Sequence, residues 1–202
     1  MLMDMQRNIA INNQMTPRDQ AGQVLSLSRT HVYKVDDTPF IDNYDYLNAL
    51  EKEALLILVL AALRYEKTDW SSNSKASERL FSALGLSSND FNVENIQTEL
   101  HRIQQSNHAR QDASLRSGIK LFFLDFCNRN CLDAFDQKIL LLLFMNITSE
   151  RFRETFSLCQ FEEDKRGIRI RIILSCLCSD YSNQLEKRTH FSRNAPLVSH
   201  EI

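Results

Sequence analysis

Glycine and proline are scarce in this sequence, which has four glycines and three prolines among 202 residues. Because tight hairpins draw on glycine, the scarcity disfavours a fold of many strands and favours long helices. Phosphate-binding loops also need clustered glycines, and no two glycines here lie within ten residues of each other. Neither G-x-x-x-x-G-K-[ST] nor G-x-G-x-x-G is present, which excludes the usual routes to nucleotide binding.

An excess of charge of one sign is also absent, since 24 basic residues oppose 26 acidic ones. The near-zero net charge creates no overall electrostatic field that would draw the chain to nucleic acid or anionic lipid. A nucleic-acid site would therefore have to be a local basic cluster. The longest uncharged apolar run, Ala54–Leu63, is too short to span a bilayer. The N-terminus carries Asp4 and has no apolar core typical of a signal peptide. We therefore expect a cytoplasmic protein with no membrane partner.

The five cysteines are an odd number in a chain with no secretion signal, which indicates reduced thiols. Cys127 and Cys131 have a spacing that a helix could use for zinc, but Cys176 and Cys178 would point apart. No histidine lies near either pair, and structural zinc normally takes four convergent ligands. We expect buried thiols that behave as small apolar side chains, with no metal site and no cofactor in this chain.

Catalytic patterns are missing as well. The five histidines are scattered in polar contexts, and neither H-E-x-x-H nor G-x-S-x-G occurs. The sequence therefore predicts no catalytic residue and no enzymatic activity. An enzyme with an unrecognised site is the weakest of the alternatives.

What the sequence does contain is helical periodicity, which begins after a weakly patterned arm at residues 1–41. Asp42 can cap a helix over Tyr44–Tyr65, and its stretch Leu55–Leu63 is apolar on every face, as in a helix wrapped by others. Two helical patterns follow at Val93–Ile103, behind a capping box at Ser87 and Asp90, and at Leu115–Phe126. A further pattern, with Gly85 as its stop, consists of Ala76, Leu80 and Leu84. Residues 42–128 are predicted to form a helical bundle.

Residues 129–202 have a different sequence pattern. A helix starts near Leu132, is lined by Phe135, Ile139, Leu142 and Met145, and breaks at Asn146–Thr148. Thr148 or Ser149 can cap a shorter helix that carries Phe152, Phe156 and Cys159. The run Ile168–Cys178 begins with strand-like alternation, but the acids ahead of it favour a helix. A short helix near Ser182–Arg188 and a strand from Leu197 complete the pattern.

This order predicts a mainly α fold, in which the bundle is followed by a winged-helix-like three-helix subdomain with an incomplete wing. The candidate contact residues for nucleic acid or a partner are Lys165, Arg166, Arg169 and Arg171, which cluster where a recognition helix would begin. The acids at Glu162–Asp164 and the isoleucines between the arginines count against nucleic acid. Nucleic-acid binding is therefore possible but disfavoured.

Two blocks near the C-terminus resemble a known family. Leu132–Leu142 reads LDAFDQKILLL and is similar to the opening helix of the helical and winged-helix region ahead of the ATPase module in a group of bacterial AAA-type ATPases. Phe191–Val198 resembles the segment Phe-Ser-Pro-x-Ala-Pro-Leu that leads into the first wing strand there. Asp136 stands where glutamate is usual, and Arg193 stands where proline is usual.

The resemblance implies a non-catalytic accessory or regulatory domain of such an ATPase. Its partners would be the ATPase module, in cis or in trans, or a protein substrate or adaptor. No Walker motif is present, so ATP and magnesium would be involved only through a following ATPase module. The alternative is a nucleic-acid-binding winged helix that uses Lys165, Arg166 and Arg169.

Overall fold

A computed structural model describes residues 36–64, 74–86, 91–159 and 168–199, with the backbone alone for residues 74–77. All of these residues belong to one compact unit. The elements are α1 (Asn43–Arg64), α2 (Ser74–Leu84), α3 (Val93–Arg116), α4 (Phe122–Arg129), α5 (Ala134–Thr148), α6 (Glu150–Leu158), α7 (Ile170–Leu177), α8 (Tyr181–Lys187), a 3-10 helix (Arg188–Phe191) and α9 (Pro196–Ser199). The prediction of a mainly α fold is confirmed.

Helix α1 is the centre of the core. Every residue from Glu53 to Ala62 is buried, and α1 contacts α2, α3, α5, α6 and α7. This confirms the prediction drawn from its all-round apolar stretch. The burial of each large aliphatic side chain contributes about 1.5–3 kcal/mol, so α1 supplies much of the stabilisation.

Polar side chains join α1 to α3. The buried carboxylate of Glu53 accepts hydrogen bonds from Gln104 Nε2 at 3.1 Å and from Asn107 Nδ2 at 3.0 Å. Gln111 Nε2 donates to the hydroxyl of Tyr46 at 3.0 Å. Buried polar groups need such partners because an unpaired one costs about 1–3 kcal/mol. These hydrogen bonds, which we call the α1–α3 seam, therefore select one register between the two helices.

The predicted helix across Leu115–Phe126 is wrong, because the chain breaks between α3 and α4. Gly118 has a φ of 75°, in the left-handed region that favours glycine. Of the face expected to be buried, Leu115 (53 %), Phe122 (63 %) and Phe126 (44 %) are exposed, whereas Ile119 is partly buried and packs against the core. Leu121 and Cys127 take the core positions.

The other helix ends vary in their agreement with the sequence. Gly85 has a φ of 69° and follows α2, as predicted. The cap of α3 is Asn92, whose side chain accepts from the backbone N–H of Asn95. The proposed capping box at Ser87 and Asp90 lies outside the described residues, as does the side chain of Ala76.

Helices α5 and α6 meet at Ser149. The predicted break at Asn146–Thr148 is wrong, since α5 runs to Thr148, but Ser149 caps α6 by accepting from the N–H of Phe152. Within α5, Ile139, Leu142 and Met145 are buried as predicted. Phe135 is only half-buried.

The C-terminal part is helical to its last described residue, Ser199. The choice of helix over strand for Ile168–Cys178 is confirmed by α7, and the short helix near Ser182–Arg188 by α8. The strand predicted from Leu197 is wrong, because the N–H groups of Val198 and Ser199 both donate to Ala195 O. Leu197 is buried, and proline at the first position of α9 is pre-organised for a helical turn.

The core is continuous from α1 to α9. The division of the chain at residues 128 and 129 stays a prediction, and most of the predicted N-terminal arm lies outside the described residues. No helix in the described ranges is both long enough and apolar enough to cross a membrane.

Candidate functional site

The predicted basic cluster is described only in part. Lys165 and Arg166 lie outside the described residues. Arg169 is the residue before the first turn of α7 and Arg171 lies within that turn, and both side chains are exposed. The structure therefore places two exposed arginines at the start of the helix that would be the recognition helix of a winged-helix domain.

The rest of α7 belongs to the core. Four of its eight residues, Ile172, Ile173, Leu174 and Cys176, are buried, and α7 packs on α1, α5 and α8. A helix that reads a DNA groove presents a row of polar side chains to the bases. The polar residues of α7 are Arg171 and Ser175, and Ser175 is only partly exposed. This helix therefore offers little surface for reading bases.

A second candidate is an apolar surface at the start of α4. We use the name α4 surface for the large exposed side chains of the segments that meet here, which are Ile41 (85 %), Tyr44 (74 %), Leu115, Phe122 and Phe126. Asn43 links α1 to α4, because its Nδ2 donates to Lys120 O at 2.9 Å and its Oδ1 accepts from the N–H of Phe122 at 2.7 Å. The N–H of Phe40 donates to Ser114 Oγ at 2.8 Å, which brings the end of α3 to the same place.

Charged side chains border this surface. Lys120 Nζ lies 6.0 Å from the ring centroid of Phe122 and 3.4 Å from a carboxylate oxygen of Asp125. Arg129 also pairs with Asp125, at 2.9 Å. An apolar, aromatic centre with a charged border is the composition typical of protein–protein contact surfaces.

A third site was missed by the sequence analysis. Asp133, Asp136 and His190 bring one oxygen or nitrogen atom each to within 4.8 Å of one another. His190 Nδ1 lies 2.8 Å from Asp136 Oδ1 and 4.0 Å from Asp133 Oδ2. The His190 ring also packs on Phe135, with 4.8 Å between ring centroids. His190 is 54 residues beyond Asp136, so no local spacing could have indicated the group.

The two blocks that carry the family resemblance meet at this group. Asp133, Phe135 and Asp136 belong to the first block, and His190 immediately precedes the second. Helix α9, which contains the end of the second block, contacts α5. Ala195 and Leu197 are both buried. The two blocks therefore form one packed unit.

The cysteines do not form a reactive centre. All five are free, and all but Cys131 are buried, which confirms the prediction of apolar-like thiols for those four and corrects it for Cys131. Burial raises the pKa of the Cys127 thiol to about 11 and that of Cys176 to about 12. Because the thiolate is the nucleophile and the metal ligand, these thiols are inert near neutral pH.

A cleft of about 700 Å³ lies between α1, α3, α5 and α7. Its lining includes apolar residues such as Leu60 and Cys176 and polar residues such as Arg64, His101 and Lys138. The exposed His101 ring contacts Gln105 Nε2 at 2.8 Å. Because burial raises the pKa of the Cys176 thiol, the described lining residues do not combine a histidine with an activated cysteine.

One comparison with known proteins identifies the family. The sequence model of the family described as "Winged helix domain, variant" matches residues 29–202. No curated protein and no solved structure matches the chain. The matched region covers nearly the whole chain and includes every helix described above. The chain therefore belongs to the family of variant winged helix domains.

Proposed function

We propose that this chain is a non-catalytic accessory domain that binds a protein through its α4 surface. The partner is an AAA-type ATPase module, in the same polypeptide or in a separate one. The observation that carries the proposal is the exposure of Tyr44, Phe122 and Phe126 around the Asn43 hydrogen bonds. Exposed aromatic side chains on neighbouring segments are typical of binding sites.

The assignment of the partner rests on the resemblance of Leu132–Leu142 and Phe191–Val198 to the region ahead of the ATPase module. The packing of α5 against α9 supports it, because the blocks meet in the folded chain although about fifty residues separate them. The absence of phosphate-binding motifs from the sequence supports a role without catalysis.

The test measures binding between the purified chain and the AAA-type ATPase module encoded nearest to it, by biolayer interferometry. We expect saturable binding, and we expect F122S/F126S to weaken it about tenfold or more, as for central aromatic contacts. The matched control is I147S, which removes a side chain that is 75 % exposed but lies at the end of α5. A wild-type chain that is folded by circular dichroism and does not bind the module contradicts the proposal.

A second candidate function is nucleic-acid binding, which is a common role of winged helix domains and is favoured by the exposed Arg169 and Arg171. The test is fluorescence anisotropy with a labelled DNA duplex across a salt series. If the arginines contact phosphates, R169E/R171E weakens binding and flattens its salt dependence. If the chain is a protein-binding module, wild type and variant both leave the duplex unbound near physiological salt.

A further inference from the structure

The carboxylate of Asp136 is the starting point for a site that the proposed function does not use. Its side chain is 3 % exposed, and one oxygen, Oδ1, contacts His190 at 2.8 Å. No described residue donates a hydrogen bond to the other oxygen, Oδ2. A buried carboxylate normally has a full set of donors or a cation, because its desolvation is costly. Among the described residues, His190 is therefore the one side chain that contacts the Asp136 carboxylate.

Asp133 adds a second carboxylate, whose two oxygens have different roles. Its Oδ1 accepts the backbone N–H groups of Phe135 and Asp136, both at 2.8 Å, and so caps α5. Its Oδ2 is left to face His190, at 4.0 Å from Nδ1. The Asp133 side chain is 60 % exposed, so the cluster is open to water on this side.

We propose that Asp133, Asp136 and His190 bind a divalent transition-metal ion of the zinc type. One imidazole nitrogen and two carboxylate oxygens suit zinc and its neighbours, whereas magnesium and calcium prefer oxygen ligands alone. Three protein ligands with an open side match a site in which water completes the coordination. The metal neutralises the buried carboxylate and ties the 3-10 helix to α5.

The distances are close to those that a metal needs. Zinc binds nitrogen and carboxylate oxygen at about 2.0–2.2 Å, so tetrahedral ligand atoms lie about 3.4 Å apart. His190 Nδ1 is 2.8 Å from Asp136 Oδ1 and 4.0 Å from Asp133 Oδ2. These two pairs each depart from that spacing by about half an ångström, and the three ligand atoms all lie within 4.8 Å of one another. A small rotation of the exposed Asp133 side chain would shorten the longer of the two distances.

The experiment uses the untagged full chain carrying C131S, because the exposed Cys131 thiol is an independent zinc ligand. Chelator-treated protein is titrated with zinc chloride by isothermal calorimetry, and the melting temperature is recorded with and without zinc. We expect one zinc ion per chain and a rise in melting temperature, since a ligand that binds only the folded state stabilises it. Magnesium at the same concentration should leave the melting temperature unchanged.

Two variants locate the site. D133N keeps a side chain that caps α5 but removes the charged ligand, and H190Q removes the nitrogen ligand. Each should weaken zinc binding at least about tenfold. The matched control is H108Q, which disrupts the exposed His108–Asp112 pair at 3.9 Å and should bind zinc as well as the parent does.

Two results would overturn the proposal. One is that the parent chain shows no saturable zinc binding while H190Q lowers the melting temperature in the presence of chelator. In that case His190 and Asp136 form a purely structural pair. The other is zinc binding that D133N and H190Q leave unchanged, which places the ion elsewhere. D133N keeps the test valid if H190Q fails to fold.

Discussion

The hydroxyl of Ser149 donates a hydrogen bond to the carboxylate of Glu51, in the middle of α1. The same Ser149 oxygen accepts the backbone N–H of Phe152 at 2.9 Å and caps α6. Glu51 also pairs with Arg151, at 2.9 Å. One serine therefore both begins α6 and attaches it to the central helix.

Replacing Ser149 with alanine removes both interactions. Loss of the cap costs about 1–2 kcal/mol of unfolding free energy, and the carboxylate of Glu51 loses a donor. Urea denaturation followed by circular dichroism measures the change. S157A is the control, because Ser157 lies in the same helix with an exposed hydrogen bond to Arg153 O. Equal losses in S149A and S157A would contradict the assigned role of Ser149.

We expect a substitution of Asn107 in the α1–α3 seam to lower stability strongly, because this side chain is 5 % exposed. N107A removes the donor to Glu53 and leaves a buried carboxylate short of a partner. We expect a loss of about 1–3 kcal/mol in unfolding free energy. Q105A, at an exposed position of α3, should change stability by less than about 0.5 kcal/mol. A stability of N107A close to that of Q105A would refute the importance of the seam.

From the ion pairs of Glu99 we expect the free energy of unfolding to depend on pH. Its partial burial raises the pKa, but Arg102 and Lys52 outweigh that effect and hold the pKa of Glu99 below its ordinary value of 4.5. Arg102 contacts the carboxylate through two nitrogens, each at 2.6 Å. Because the folded pKa is depressed, the stabilisation is fully present above pH 4.5 and is lost as pH falls through the folded pKa.

The variant E99Q tests this linkage. It should be about 0.5–1 kcal/mol less stable than wild type at pH 7, and the difference should shrink as pH falls below 4.5. Urea denaturation at several pH values measures the difference. In an R102Q background the effect of E99Q should be smaller at pH 7. A difference that stays constant from pH 7 to pH 3 would show that the charge of Glu99 is irrelevant.

The cysteines should differ sharply in reactivity. Cys131 is the exposed one, whereas burial raises the pKa of Cys127 to about 11. Iodoacetamide at pH 7.5 should therefore label Cys131 first and leave the other four unmodified until the chain unfolds. Mass spectrometry of tryptic peptides measures the labelling, and C131S should leave the native chain largely unlabelled. Rapid labelling of Cys159 or Cys176 in the native chain would contradict the described packing.

Local chemistry alone was enough to predict several features. The all-round apolar stretch of α1 has no polar face to turn toward water, so its central position follows from composition. Gly85 ends α2 because a left-handed residue is cheapest as glycine. Ser149, one of the two residues predicted to cap α6, does so because its short side chain reaches the free N–H groups of the first turn. Each of these depends on residues a few positions apart.

Other features depended on packing between distant parts of the chain. The spacing of Leu115, Phe122 and Phe126 was consistent with one helical face, but periodicity does not say whether such a face meets the core. Gly118 broke the helix, and Leu121 and Cys127 occupied the core instead. Similarly, the hydrogen bonds of Ala195 O made a helical turn where the sequence suggested a strand.

Composition and local spacing thus determined the mainly α fold, the central helix, the end of α2 at Gly85 and the cap of α6, since these depend on backbone preferences and the burial of apolar area. Tertiary structure alone exposed the aromatic side chains around Asn43 and brought His190 to Asp136. Both outcomes require contacts between segments that are more than fifty residues apart. The free energy of such contacts is decided by how whole helices pack, which no local pattern encodes.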